Sequence, residues 1–217
     1  MEYRSRLLDA CRRLTGKGFL HGTADSFSVR IPGTEEMLLV CGLVGWERVA
    51  SSDIKVFPFS VRDKCAGLHA MIYQARTDVG AVTVSSPQGV RLLARSGDRL
   101  PPLFDEQVRH IGWLAGHCNG NESNPQDLVE TLEHGINGVL LGEQLLCLGM
   151  TCERALSNTE LYEKCALAYV IAKASGQPSG TIPSWVRWIA NRRLLKDERR
   201  ASISYRHGQA PESMSGY

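Results

Sequence analysis

The stretch RTDVGAVTVSSP (76–87) decides how the rest of the chain is read. Val79 to Val84 is a β-branched run and reads as a strand. Pro87 suits the first turn of a helix that runs to Arg95 and stops at Ser96-Gly97-Asp98. Upstream, Asp63 is placed to cap a helix from Lys64 to about Arg76 with Leu68, Ile72 and Tyr73 turned inward. A strand held between two helices is the unit of a layered α/β domain.

Working outward, residues 2–15 space Leu7, Leu8, Cys11 and Leu14 as one helical face ending at Gly16-Lys17-Gly18. Residues 26–31 alternate and read as a strand closed by Pro32-Gly33, 37–44 as a buried strand followed by a loop, and 54–59 as another strand. Residues 104–114 fit a strand or a helix equally. A polar loop at 119–124 precedes a helix at 125–134. Residues 139–148 hold two strand-like pieces around Gly142-Glu143-Gln144, and Ser157 to Ser175 is an amphipathic helix. This order predicts one layered α/β domain over 1–178, with helices covering a mixed sheet. Residues 179–217 follow as a basic amphipathic helix, WVRWIANRRLLKDERR, and a polar tail from Ser202. Trp185, Trp188, Ile189 and Leu195 are its candidates for docking on a neighbouring subunit.

Composition narrows the function classes. The 217 residues are 43% hydrophobic and 22% charged, which suits a globular domain with a sizeable core. A net charge of +2 supplies no global field for nucleic acid or anionic lipid, so neither is expected as a partner. No apolar run approaches the roughly 20 residues of a membrane span, and the N-terminus lacks the apolar core of a signal peptide. Seven cysteines without a CxxC pair argue for reduced thiols and a cytoplasmic location.

Seven stretches carry a resemblance in order: GTADSFSVR (22–30), LLVCG (38–42), SSDI (51–54), CAGLHAMIY (65–73), RTDVGAVTVSSP (76–87), GVLLGEQLLCLG (138–149) and TELYEKCALAY (159–169). Together they resemble the class II aldolase/adducin-head family over about residues 5 to 175. The resemblance implies a three-layer α/β/α domain around a central mixed, mainly antiparallel sheet, metal-dependent lyase or epimerase chemistry, a homo-oligomer (a tetramer above all), and active sites between subunits that take small-molecule substrates.

The framework matches and the chemistry departs. Thr83 and Ser85 stand where the family has its His-x-His metal ligands, and Gly142-Glu143-Gln144 stands for its Asn-His-Gly turn. An alternative placing of the third ligand at His134-Gly135 disturbs the downstream spacing. Hydroxyls stay protonated and ligate zinc poorly, so no metal and no other cofactor is expected. Cys65 replaces the acid/base Glu, Asp63-Lys64 its Ser-Ser pair, Asp25-Ser26 the first phosphate loop and Cys41-Gly42 the second.

Two readings follow. In one, the cleft runs metal-independent lyase, decarboxylase or isomerase chemistry with Cys65, His69, Glu143 and Asp25 as catalytic residues. Ser26, Arg30, Cys41, Gly42, Lys64, Thr83 and Ser85 would then contact the substrate. Cys65 and His69, at i and i+4, would form a thiolate–imidazolium pair near a helix N-terminus. In the other, the fold is a catalytically silent binding or oligomerisation module like the adducin head. Recruitment of a metal by His21, His69, His110 or His117 is a third, weaker possibility.

Overall fold

The computed structural model describes residues 2–112, 116–118, 128, 132, 135–176 and 180–212. Its strands are β1 (Ser26–Ile31), β2 (Glu36–Cys41), β3 (Lys55–Pro58), β4 (Ala81–Ser85), β5 (Gly116–Cys118), β6 (Gly138–Leu141) and β7 (Gln144–Gly149). They form one sheet in the order β3-β2-β1-β4-β7-β6-β5. Every pairing is antiparallel except β5 with β6. The helices are α1 (Glu2–Gly16), α2 (Lys64–Ala75), α3 (Gln88–Ser96), α4 (Asp105–His110), α5 (Cys152–Ala174) and α6 (Ser184–Arg206). The expected loop at 119–124 lies outside the described residues, as does the expected helix at 125–134 apart from Leu128 and Leu132.

Strand alternation builds two cores. On one face Phe27, Val29, Leu38, Val40 and Ala81 pack against α1 and the start of α5. Further along that face, Leu140, Leu145 and Cys147 meet α3 and α5. On the other face Met37, Leu39, Val82, Val84, Leu146 and Leu148 meet α2. Period-two side-chain direction thus puts helices on both faces of the mixed, mainly antiparallel sheet, as expected.

One open alternative is resolved and two local expectations need correction. The ambiguous 104–114 stretch contains the short helix α4, with Asp105 and Glu106 in its first turn and Arg109 in its last, in line with the helix dipole. The helix expected from Ser157 starts five residues earlier, at Cys152. Thr151 caps it, its hydroxyl accepting from the Arg154 N–H at 3.2 Å. The tail expected from Ser202 is helical as far as Arg206.

That last helix also sits differently from its sequence reading. Asp197 and Glu198, which interrupt its basic run, are buried rather than solvated. Arg76, at the end of α2, donates to both oxygens of Asp78 (2.8 and 2.6 Å) and to Asn137 Oδ1 at 3.1 Å, and pairs with Glu198 at 3.1 Å. Asp197 pairs with Arg109 of α4. Near the end of α6, the Tyr205 hydroxyl donates to Met150 O at 2.8 Å. Gly80 admits it: a Cβ there would stand 1.9 Å from the Tyr205 oxygen. Trp185 and Trp188, at the start of α6, remain 66% and 56% exposed.

Candidate functional site

The antiparallel registers bring the predicted site residues to one rim of the sheet. Ser26 at the start of β1 faces Cys41 at the end of β2 and Val84 near the end of β4, and Ser85 faces Leu145 near the start of β7. The rim does not gather them at one point. Ser26, Ser28 and Cys41 lie on the α2 face, whereas the Thr83 hydroxyl meets that of Thr159 in α5 at 2.8 Å on the opposite face. Ser85 shares that face by alternation. Its hydroxyl is buried without a hydrogen-bond partner among the described residues.

On the α2 side, His69 is fully buried between two serines, with Ser26 Oγ 2.7 Å from Nε2 and Ser28 Oγ 2.7 Å from Nδ1. Ser28 in turn meets the Tyr73 hydroxyl at 2.8 Å. Desolvation pulls the imidazole down to about 3, so it is neutral and uses one nitrogen as donor and the other as acceptor. The expected thiolate–imidazolium pair therefore does not form. Instead Cys65 and Cys41 both pack, partly buried, against the core on the α2 face. The hydrogen bond shared by the two thiols draws Cys41 down to about 7 and, with burial, pushes Cys65 up.

Asp25 is fully buried and its carboxylate is occupied. Oδ2 accepts the backbone N–H groups of His21 (2.8 Å) and Gly22 (2.7 Å), and Oδ1 accepts from Ser86 Oγ (2.8 Å) and Gln144 Nε2 (3.3 Å). It ties the starts of β1 and β7 to the end of β4. Glu143 sits in the exposed β6–β7 turn, three to four strand spacings from Cys41, roughly 15–19 Å at about 4.8 Å per strand. Its carboxylate accepts two bonds from Arg95, at 2.9 and 3.0 Å. Arg30 is buried, donating to the carbonyls of Val79, Tyr73 and Arg76, with its guanidinium about 5 Å from the rings of Phe59, Tyr73 and Tyr205. Lys64 and Gly42 are exposed.

The divalent ion implied by the resemblance can be tested against these donors. Thr83 is engaged with Thr159, Ser85 carries a hydroxyl, and Glu143 faces solvent beside Arg95. Among the described residues no group of three His, Cys, Asp or Glu side chains could hold a metal ion. The backbone N–H of His21, not its ring, meets Asp25. His110 lies against Arg154, with its pKa drawn down to about 4 by burial and by that cation. The side chain of His117 lies outside the described residues. The donors among the described residues do not fit the family's ion.

Sequence reading missed Ser28, Tyr73, Ser86, Gln144 and Thr159. The first two left a trace: Ser26 and Ser28 are two apart on a strand, and His69 and Tyr73 four apart on a helix, so each pair shares a face. Nothing local marked the other three.

The family model for the Class II Aldolase and Adducin N-terminal domain matches residues 5–170. An L-fuculose 1-phosphate aldolase from Glaciozyma antarctica PI12 superposes with a TM-score of 0.75 at 18% identity, covering 94% of this chain and 88% of that one. An aldolase II superfamily protein from Pseudomonas syringae gives 0.71 at 20% identity, over 94% and 95% of the two chains. YgbL from Escherichia coli, described as a putative aldolase/epimerase/decarboxylase, gives 0.74 at 17% identity, over 87% and 97%. No curated protein matches the sequence. With the model spanning most of its length and the sheet order in place, the chain belongs to the class II aldolase and adducin N-terminal domain family.

Proposed function

We propose that this protein has given up the metal-assisted carbon–carbon chemistry of its family and serves as a binding and assembly member of it. One observation carries this reading: apart from the unpartnered Ser85 hydroxyl, the polar side chains expected to react are largely consumed by contacts within the chain. Asp25 accepts four donors, His69 is held neutral between two serines, Thr83 is paired with Thr159, and Glu143 is paired with Arg95. A carboxylate or imidazole so engaged must break its own bonds before it can accept a proton or a cation. The exposed Trp185 and Trp188 support self-association as a homo-oligomer, tetramer included. The six cysteines whose side chains are described are unpaired, which supports a reducing, cytoplasmic setting.

The test is calorimetric titration of the purified protein with zinc, together with an assay for cleavage of L-fuculose 1-phosphate with and without added zinc. Absence of stoichiometric binding and of cleavage is expected. Tight one-to-one binding with zinc-dependent cleavage, both lost in Thr83→Ala, overturns the proposal.

A second reading is favoured by the Cys41–Cys65 contact. A thiol drawn to about 7 beside one that keeps its proton supplies a base and an acid for metal-independent isomerase, lyase or decarboxylase chemistry on a small oxygenated metabolite, in a cleft shared between subunits. Solvent deuterium entering a hydroxy-acid or ketose pool only with intact Cys41 supports it. Equal exchange by Cys41→Ser removes it.

A further inference from the structure

The C-terminal helix α6 sorts its charges by face. Asp197 and Glu198 turn towards the body of the domain, where Arg109 and Arg76 pair with them. Arg192, Arg193, Lys196 and Arg199 stay exposed, and among the described residues none of the four enters an ion pair. The acids that interrupt the basic run in sequence therefore leave its outer face uniformly cationic. At about 100° per residue, Trp185, Trp188, Ile189 and Ile203, all exposed, fall within the same arc of roughly 140° as the four cations. Arg192 lies over the Trp188 ring at 5.3 Å, so charge and aromatic surface are interleaved on this face. From Trp185 to Ile203 the stripe runs about 27 Å at 1.5 Å per residue, roughly three Debye lengths at physiological salt. A partner pressed against it meets this local charge and not the net +2 of the whole chain.

We propose that this face of α6 docks on an anionic phospholipid surface, lying along it as a peripheral contact. The occupant has to answer two chemistries at once. Anionic headgroups meet the four cations, whose long stems let the charges stay in the headgroup layer while the helix settles against it. Tryptophan rings favour the boundary between headgroups and acyl chains, and Ile189 and Ile203 reach the acyl side of that boundary. A nucleic-acid backbone answers the charge alone and leaves both isoleucines in water. The contact stays on the surface: among the described residues no helix is long and apolar enough to cross a membrane. The inference goes beyond the assembly reading, and it draws on the same two tryptophans, so self-association that covers them would exclude it. It does not depend on whether the rim turns over a substrate.

The test floats the full-length protein with vesicles of phosphatidylcholine alone or mixed with phosphatidylglycerol, at low and at high salt. Flotation with the phosphatidylglycerol vesicles only is expected, reversed by salt and accompanied by a blue shift in tryptophan emission. Arg192→Gln, Lys196→Gln and Arg199→Gln should each weaken vesicle binding about five-fold, the equivalent of about 1 kcal/mol per basic residue at an anionic surface. Arg12→Gln, which removes an exposed cation of α1, should leave binding unchanged. Trp188→Ala should weaken binding to the anionic vesicles and shrink the blue shift. Circular dichroism of each variant separates loss of binding from loss of fold. The proposal fails if the folded protein stays off anionic vesicles at low salt, if neutral vesicles bind it equally, or if the three glutamine variants bind like wild type. It also fails if duplex DNA or RNA, at equal phosphate concentration, strips the protein from the vesicles, since that outcome assigns the face to nucleic acid.

Discussion

Helix α2 contributes to two buried polar clusters that solve the same problem in opposite ways. Within the helix, His69 sits among hydroxyls and is kept neutral. Just past its end, Arg76 sits among Asp78, Glu198 and Asn137 and concentrates charge. Hydroxyls satisfy an imidazole without a net charge, so burial decides its protonation. A guanidinium can be buried only with carboxylates around it. The first cluster joins α2 to β1, and the second joins α2 to α6. The neutral cluster should therefore be tolerant and the charged one brittle.

The largest expected effect breaks the charged side. Arg76→Met leaves Asp78 and Glu198 facing each other without a cation, and should cost about 3–5 kcal/mol, read as a lower denaturant midpoint. The next sharpens the contrast through pH. Burial raises Glu198 to about 7 from an ordinary 4.5, so the folded state binds the extra proton. Its stabilising contribution is complete below about 4.5 and is lost as pH rises through about 7. His69, lowered to about 3 from an ordinary 6.5, behaves oppositely: its contribution is complete above about 6.5 and is lost as pH falls towards 3. Between pH 4.5 and 6.5 the two slopes oppose each other, each up to about 1.4 kcal/mol per pH unit for a fully linked group. Glu198→Gln should make stability rise with pH across that window, and His69→Leu should make it fall. Urea midpoints measured at half-unit pH steps distinguish the two; parallel profiles for both variants would erase the contrast.

A smaller effect tests the neutral side. Ser28→Ala removes one partner from His69 and one from Tyr73 and should cost about 1–3 kcal/mol, with no change in the pH slope above 7. The smallest concerns the rim. Glu143→Gln removes an exposed ion pair with Arg95 and should leave the thermal midpoint unchanged.

Much of the fold was legible because it rests on local periodicity. The β-branched run before Ser85 and the Asp63 cap place β4 and α2 from sequence alone; the Asp63 side chain accepts the Ala66 N–H at 2.7 Å. The start of α5 was not, because Thr151 reads as a cap only once Cys152 and Ala155 are seen to face α1. The site was legible as a set of positions and not as a set of contacts. Arg30 looks available for an anion until Tyr205, far along the chain, lays its ring beside the guanidinium. Glu143 looks like a site residue until Arg95 takes its carboxylate. Asp197 and Glu198 look like interruptions of a basic face until α4 and Arg76 supply their cations. Each depends on a partner from another element, which spacing does not encode.

The hydroxyl contact between Thr83 and Thr159 has a steric consequence. With 2.8 Å between the two oxygens and α5 pressed on that face of β4, an imidazole at position 83 would collide with the helix unless residue 159 shrank as well. Fitting the larger ring would need coordinated changes in a strand and a helix, and the change in the strand alone would leave this seam overpacked.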